Sequence, residues 1–244
     1  MIAFRSFLFS IAFYTTMFLY CILLLPFLLM PQSIFVPVLR GYFRLNHQLE
    51  KLILGLDFEI IGKEHLPKSG SYIVAAKHQS TYETLKLFHL FDYPAVIMKK
   101  QLMLIPIWGW IARKAKSLGI DRTDRKTALT SITEGAKQIK KDKRPIIIFP
   151  QGTRVSPADT PKTKRYKWGV VRMAKTAKLD IVPLALNSGP FWPRRKGYKR
   201  GGLVTFEFLP TISHKLPDET IMKELQSSIE KATNKLCKAA KPNT

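Results

Sequence analysis

The chain has 244 residues and a mass of 28.0 kDa, enough for one domain with a full core and too little for two large ones. Hydrophobic residues make up 46% and charged residues 23%, and Gly and Pro form no tract, which excludes wholesale disorder and fibrous classes. The net charge of +23 is lopsided: residues 1–60 hold four Lys/Arg against three acids, leaving +22 on the other 184. So basic a domain attracts polyanions, whether nucleic acid, anionic lipid or a phosphorylated or acidic substrate. Cys21 and Cys237 lie near opposite ends, with no zinc spacing and no disulfide framework, so a reducing compartment is expected.

Residues 6–39 carry no charged side chain. Residues 7–30 are 24 mostly apolar positions, about 36 Å long as a helix and enough to cross a hydrocarbon core of about 30 Å. A cleaved signal peptide fits poorly, because the stretch is too long and no A-x-A-like site ends it. Pro26, Pro31 and Pro37 interrupt its rear half. Two arrangements follow: one tilted spanning helix, or a helix that dips in and returns as an amphipathic helix near 33–53.

After Gly55 the pattern changes. Apolar runs at 58–61, 71–76, 95–98, 145–149 and 181–186 predict strands, and the alternation at 203–208 predicts an edge or half-exposed strand. Helices are predicted at 81–90, 102–116, 125–141, 167–177 and 217–239. Alternating strands and helices argue an α/β fold, a largely parallel mixed sheet flanked by helices. The expected organisation is a membrane-anchoring segment over 1–54 and a catalytic domain over 55–244. The basic domain is expected on the cytoplasmic face of a membrane, the inner membrane if the cell is bacterial, and drawn to its anionic surface.

Four short stretches carry chemistry, each at the edge of an apolar run. His78 follows the run SYIVAAK, and Glu83 comes five residues later. On one continuous helix the two would diverge by about 140°, so they meet only if His78 lies on a loop and Glu83 on the helix. A carboxylate on one ring nitrogen fixes the tautomer and leaves the other nitrogen free to take a proton. Ser80, at the start of that helix, reads as a cap. Arg122 closes the stretch Gly119-Ile120-Asp121-Arg122. Gln151, Gly152, Thr153 and Arg154 follow a buried strand and Pro150, and such a turn can cradle a phosphate. Val182-Pro183 opens the fourth. No His/Asp/Glu cluster has metal-ligand spacing, so neither metal nor cofactor is expected.

In this order the four stretches resemble the sequence blocks of the 1-acyl-glycerol-3-phosphate acyltransferase family. Lys77–Glu83 is similar to its His-x4-Asp block, Ile120-Asp121-Arg122 to its Ile-Asp-Arg, Phe149–Arg154 to its Phe-Pro-Glu-Gly-Thr-Arg, and Val182-Pro183 to its Val-Pro strand. Lys99-Lys100 and 105–110 resemble the segment between the first two blocks. Two residues depart from the pattern: Glu83 stands for the commoner Asp, and Gln151 for Glu. The resemblance implies the glycerolipid acyltransferase fold. It also implies acyl transfer from acyl-CoA or acyl carrier protein to the sn-2 hydroxyl of lysophosphatidic acid, giving phosphatidic acid. His78 would be the general base and Glu83 its orienting carboxylate. Arg122, Arg154 and Lys100 would meet the acceptor phosphate, and backbone N–H groups near Gly152 the oxyanion. Glycerol 3-phosphate and lyso-ornithine lipid remain as alternative acceptors. Nucleic acid is not an expected partner, because charge alone accounts for none of the four blocks. Residues 160–178 hold seven Lys/Arg and no acid, and 194–200 hold five in seven, which suits both donors and an anionic bilayer.

Overall fold

The computed structural model describes residues 1–120, 125–194 and 197–243. Helix α1 (Ile2–Leu23) leads through a 3₁₀ turn at Pro26–Leu29 into α2 (Gln32–Leu49), which ends in a π-helical turn at Glu50–Leu54. Then follow β1 (Leu56–Ile61), β2 (Ile73–Ala76), α3 (Tyr82–Leu90), β3 (Ala95–Lys99), α4 (Trp108–Lys114) and β4 (Leu118–Ile120). The rest comprises α5 (Arg125–Lys141), β5 (Ile146–Ile148), α6 (Gly169–Ala177), β6 (Ile181–Leu186), α7 (Ser188–Phe191), β7 (Gly202–Phe208) and α8 (Asp218–Ala239).

The strands form one seven-stranded sheet in the order β1-β7-β6-β2-β5-β3-β4. β2 to β6 run parallel; β7 is antiparallel to β6, and β1 is parallel to β7. The central strands are apolar on both faces because helices cover both. On one face Val74, Ala76 and Val182 share a core with Phe9 and Phe13 of α1, Phe35 and Leu39 of α2, and Tyr82 of α3. On the other, Ile73, Ala75 and Ile146 share one with α5, α6 and α8, through Ile139, Val170 and Leu225. Side chains alternate across the sheet along β2. Continued past Ala76, that alternation sends Lys77 toward α8 and His78 toward α3.

Three expectations change. The single helix at 102–116 is instead a 3₁₀ segment, Lys100–Leu104, and the separate helix α4. Pro106 breaks them apart, since proline has no N–H to continue the ladder, and Ile107 turns at φ 61°. Leu118–Ile120, not predicted as a strand, forms β4 at the sheet's edge. Of the two readings of 203–208 only the half-exposed one holds, because β1 pairs along the outer side of β7. Its alternation reflects partial coverage of one face, with Leu203 exposed and Phe206 buried.

The N-terminal segment turns back on itself. α1 is long and apolar enough to cross a membrane by length and composition, yet its first half lies along the domain. Phe9 and Phe13 pack edge-on against Trp192, with ring centroids 5.3 and 5.9 Å away. Arg5 donates to the Ile53 carbonyl at 2.6 Å, and Ser6 and Ser10 accept from the Lys199 backbone and ammonium at 2.9 and 2.8 Å. The outer flank, with Phe4, Phe7, Ile11, Tyr14 and Phe18, is exposed.

A buried ion pair ties this hairpin to α3. Glu50 and Lys86 are both almost wholly buried and paired with each other. Burial pushes the Glu50 carboxyl up to about 7 against the pull of Lys86. His47 accepts from the same ammonium through Nδ1 at 3.1 Å. Burial and Lys86 lower its pKa to about 4, which keeps it the neutral acceptor this bond needs. Breaking a buried pair from one side leaves an uncompensated charge, at about 3–5 kcal/mol, whereas replacing both partners is far milder. Lys86→Met should therefore lower the thermal midpoint in detergent sharply, and Glu50→Gln/Lys86→Met should recover most of it. Equal loss in both variants would mean that the pair itself stabilises the hairpin.

Candidate active site

The site begins with a capping arrangement at the start of α3. Ser80 Oγ accepts the Tyr82 N–H at 3.1 Å, while the Glu83 carboxylate reaches back to the Ser80 N–H at 2.7 Å and the Gln79 N–H at 2.6 Å. This is the reciprocal logic of a Ser-x-x-Glu capping box. It bends the chain so that His78, on the loop, comes round to Glu83, on the helix. His78 Nδ1 donates to Glu83 Oε1 at 2.8 Å. Ser80 is thus a cap, wholly buried.

Glu83 is 0% exposed. Its second oxygen accepts the Ser188 hydroxyl at 2.6 Å, from the start of α7. Four donors therefore hold one buried carboxylate, which is how a buried charge is tolerated. Because an ionised carboxylate only accepts, Nδ1 carries the proton in this bond and Nε2 is left as the ring nitrogen with a free lone pair. The imidazole stacks on Phe149, with centroids 3.9 Å apart, so the ring is fixed in plane as well as in rotation.

The turn after β5 closes over this pair. Val155 N–H donates to the His78 carbonyl at 2.7 Å, and Arg154 Nη1 donates to Thr81 Oγ1 at 3.0 Å. Arg194 donates in turn to the Arg154 carbonyl. Gly152 sits at φ 70°, a conformation that favours glycine. Its N–H bonds the Phe149 carbonyl at 2.9 Å. That donor is committed to the turn, so oxyanion donors near Gly152 must come from other groups.

His78 and Arg154 both line an apolar cavity of about 550 Å³. It is walled by Met17 and Tyr20 of α1, Leu39 and Phe43 of α2, and Phe88 of α3. Gly152 and Thr153 lie on its rim with them. Lys100 opens the exposed 3₁₀ segment, and it is Lys99 that lines the cavity. Arg122 lies outside the described residues. Gln151 is buried and lines a different cleft, beside Tyr166. The structure thus gathers His78, Glu83, Gly152, Thr153 and Arg154 in one place.

Sequence reasoning missed five contributors. Phe149 was in the third stretch but not read as a ring platform. Ser188 gave no local signal, since only the turn after β6 brings it to Glu83. Lys77 is buried and paired with Glu230 of α8, to which Tyr166 also donates at 2.8 Å. Burial and that carboxylate push the Tyr166 phenol far up, so it stays a donor.

A largely parallel sheet flanked by helices, with an oriented histidine lining an apolar cavity, places the molecule in the α/β class with a candidate active site at the strand ends. The chain belongs to the Acyltransferase family, whose model matches residues 57–187. Among its relatives are the 1-acyl-sn-glycerol-3-phosphate acyltransferases of Pseudomonas aeruginosa and Saccharomyces cerevisiae. The first is 30% identical over 68% of this chain and 63% of that protein, the second 30% over 73% and 59%. The matched stretch thus spans about 60% of the length of these relatives. The crystal structure of the 1-acyl-sn-glycerophosphate (LPA) acyltransferase PlsC from Thermotoga maritima shares the fold, with a TM-score of 0.77 and 22% identity over 100% of both chains.

Removing the Ser188 hydroxyl tests how much Glu83 depends on its fourth donor. A hydrogen bond to a charged group is worth about 1.5–3 kcal/mol. Ser188→Ala should lower kcat by about tenfold or more while leaving both substrate KM values nearly unchanged. A change in KM alone would place Ser188 in binding instead.

Proposed function

We propose that this protein transfers a fatty acyl chain from acyl-CoA or acyl carrier protein to the sn-2 hydroxyl of lysophosphatidic acid, making phosphatidic acid. The observation that carries the reading is the His78–Glu83 pair, opening with Arg154 into an apolar cavity. His78 Nε2 takes the proton of the acceptor hydroxyl as its oxygen attacks the thioester carbonyl. The tetrahedral intermediate collapses, the C–S bond breaks, and the imidazolium returns its proton to the departing thiolate. Glu83 holds the ring and stabilises the imidazolium without itself changing protonation. No covalent acyl-enzyme is required. Arg154 receives the acceptor phosphate, together with Arg122, and the acyl chain lies in the apolar cavity.

The same reading puts the protein at a membrane, with its catalytic domain on the cytoplasmic face. About half of α1 is held against the domain, so the remainder and the turn to α2 would reach only about one leaflet deep at roughly 1.5 Å per residue. The exposed apolar flank of α1 would face the acyl chains of the bilayer. Ile11→Glu/Phe18→Glu alters that flank and no buried core position. It should release the protein from vesicles in high salt, with residual binding at low salt through the basic surface. Full retention at both salts would place the anchor elsewhere.

Purified membranes offered lysophosphatidate, glycerol 3-phosphate and lyso-ornithine lipid, each with both thioesters, test the acceptor. Lysophosphatidate should dominate. His78→Ala should lower turnover at least about a hundredfold, because a positioned general base typically gives 10²–10⁴-fold. Glu83→Gln should cost nearly as much and Glu83→Asp much less. Near-normal turnover in His78→Ala would exclude the base assignment.

A further inference from the structure

The fold carries a second cleft, of about 990 Å³, beyond the turn at Phe149–Thr153. It lies at the C-terminal ends of β3, β4 and β5, where Ile97, Ile120 and Ile148 reach it. The basic side chains along it set it apart from the cavity that holds His78. Lys162, Lys164, Arg165, Lys167 and Arg172 line it, all exposed and all within the run that contains no acid. The two cavities share Phe149, Gly152 and Thr153 as lining. They therefore abut beside the ring on which His78 stacks.

The floor of this cleft holds an anomaly. Gln151 is only 4% exposed and lines the cleft, yet its Oε1 has no hydrogen-bond partner among the described residues. Tyr166, also on the floor, cannot supply one, because its hydroxyl donates to Glu230. Glu230 is itself answered from behind by buried Lys77. A buried acceptor without a donor is unfavourable and rare, and each instance needs an explanation. An N–H or O–H entering the cleft that Gln151 lines would supply the missing partner. The cations along the walls want the opposite, an acceptor with negative charge, and phosphate is the group that lysine and arginine hold best.

We propose that this cleft takes the 4′-phosphopantetheine arm of the thioester donor. Gln151 would accept an amide N–H of the arm, and the lysines and arginines of 162–172 would hold its phosphate. The arm has the required sequence of groups: a thioester at one end, amides along its length, phosphate at the other. Seated this way, the thioester reaches the shared rim at Phe149–Thr153, within the neighbourhood of His78. The acceptor then occupies the apolar cavity from the other side, with Arg154. The inference rests on the acyl-transfer reading above: the donor's arm lies in this cleft, while its acyl chain passes the shared lining into the apolar cavity beside the acceptor. The arm is common to acyl-CoA and acyl carrier protein, so the cleft's chemistry is the same for either source.

The test uses the full chain in detergent micelles, with KM measured separately for donor and acceptor. Lys164→Ala/Arg165→Ala changes only exposed side chains and should leave folding intact. Its KM for acyl-CoA and for acyl-phosphopantetheine should rise at least about tenfold, the loss expected for charge-assisted contacts. The KM for lysophosphatidate should stay within about twofold. Gln151→Leu keeps the volume and removes the acceptor, and should show the same selective rise. Gln151→Glu restores an acceptor but adds charge beside Glu230 and the phosphate, so it should also weaken the donor. A rise in the lysophosphatidate KM instead would give the cleft to the acceptor headgroup and overturn the proposal. A rise with acyl carrier protein alone, and none with the two small thioesters, would make this a protein-docking surface and overturn it too. So would unchanged values throughout. Direct binding of free coenzyme A to the wild type and to Lys164→Ala/Arg165→Ala needs no turnover. It therefore still reads the cleft if the acyl-transfer reading itself fails.

Discussion

The geometry of the candidate site depends on one buried carboxylate. Glu83 has no exposed surface, and an ionised group there is tolerable only with its lone pairs filled. The four donors that fill them come from three places: the loop at Gln79–Ser80, the His78 ring, and Ser188 on α7. Each of these donors also fixes a piece of the site. The two backbone bonds set the bend between β2 and α3. The ring bond sets the tautomer and leaves Nε2 with its lone pair free. The Ser188 bond ties the turn after β6 to the turn after β2. A side chain one methylene shorter at 83 would have to move the helix or the loop to keep all four.

The sheet explains why the site has two sides. Side chains on β2 alternate between the two cores, so consecutive residues past its end part company. His78 goes to the face covered by α1, α2 and α3, and Lys77 to the face covered by α8. The turn after the neighbouring strand β5 divides in the same way. Arg154 lines the apolar cavity, Gln151 lines the cleft edged by basic side chains, and Phe149 stands between them and lines both. One face of the enzyme is therefore suited to lipid chains and the other to water and charge. The net charge of the first 60 residues, near zero, against +22 on the rest is the same division written in the sequence.

Much of this was legible before any coordinates. The strand-end positions of His78 and the 149–154 turn follow from apolar runs of strand length. The Ser80-x-x-Glu83 spacing is a capping signature, and it is also what brings His78 and Glu83 together. What was not legible depends on strand order. Nothing local to Ser188 says that β6 lies beside β2, yet that adjacency is what delivers its hydroxyl to Glu83. Leu118–Ile120 is too short for a periodicity to show, and becomes a strand only because β3 is there to pair with it. The helix predicted over 102–116 failed at Pro106, a breaker that was visible in the sequence and was outweighed by the apolar pattern around it.

The departure at Gln151 acquires a physical reason from the far side of the sheet. Lys77 is a buried ammonium one residue from His78, and a charge so placed requires a carboxylate within reach. Glu230 supplies it from α8, a helix more than 140 residues further along the chain, and Tyr166 completes its coordination. With Lys77 already neutralised, a neutral side chain at 151 leaves the cluster in balance. A carboxylate there would stand near a second one across the Tyr166 hydroxyl, in a region with little water to separate them, where like charges raise each other's proton affinity. The identity of the residue in the turn is thus bound to a residue on the last helix. Reading the turn by its own six letters misses half of the electrostatics that determine which side chain it can hold.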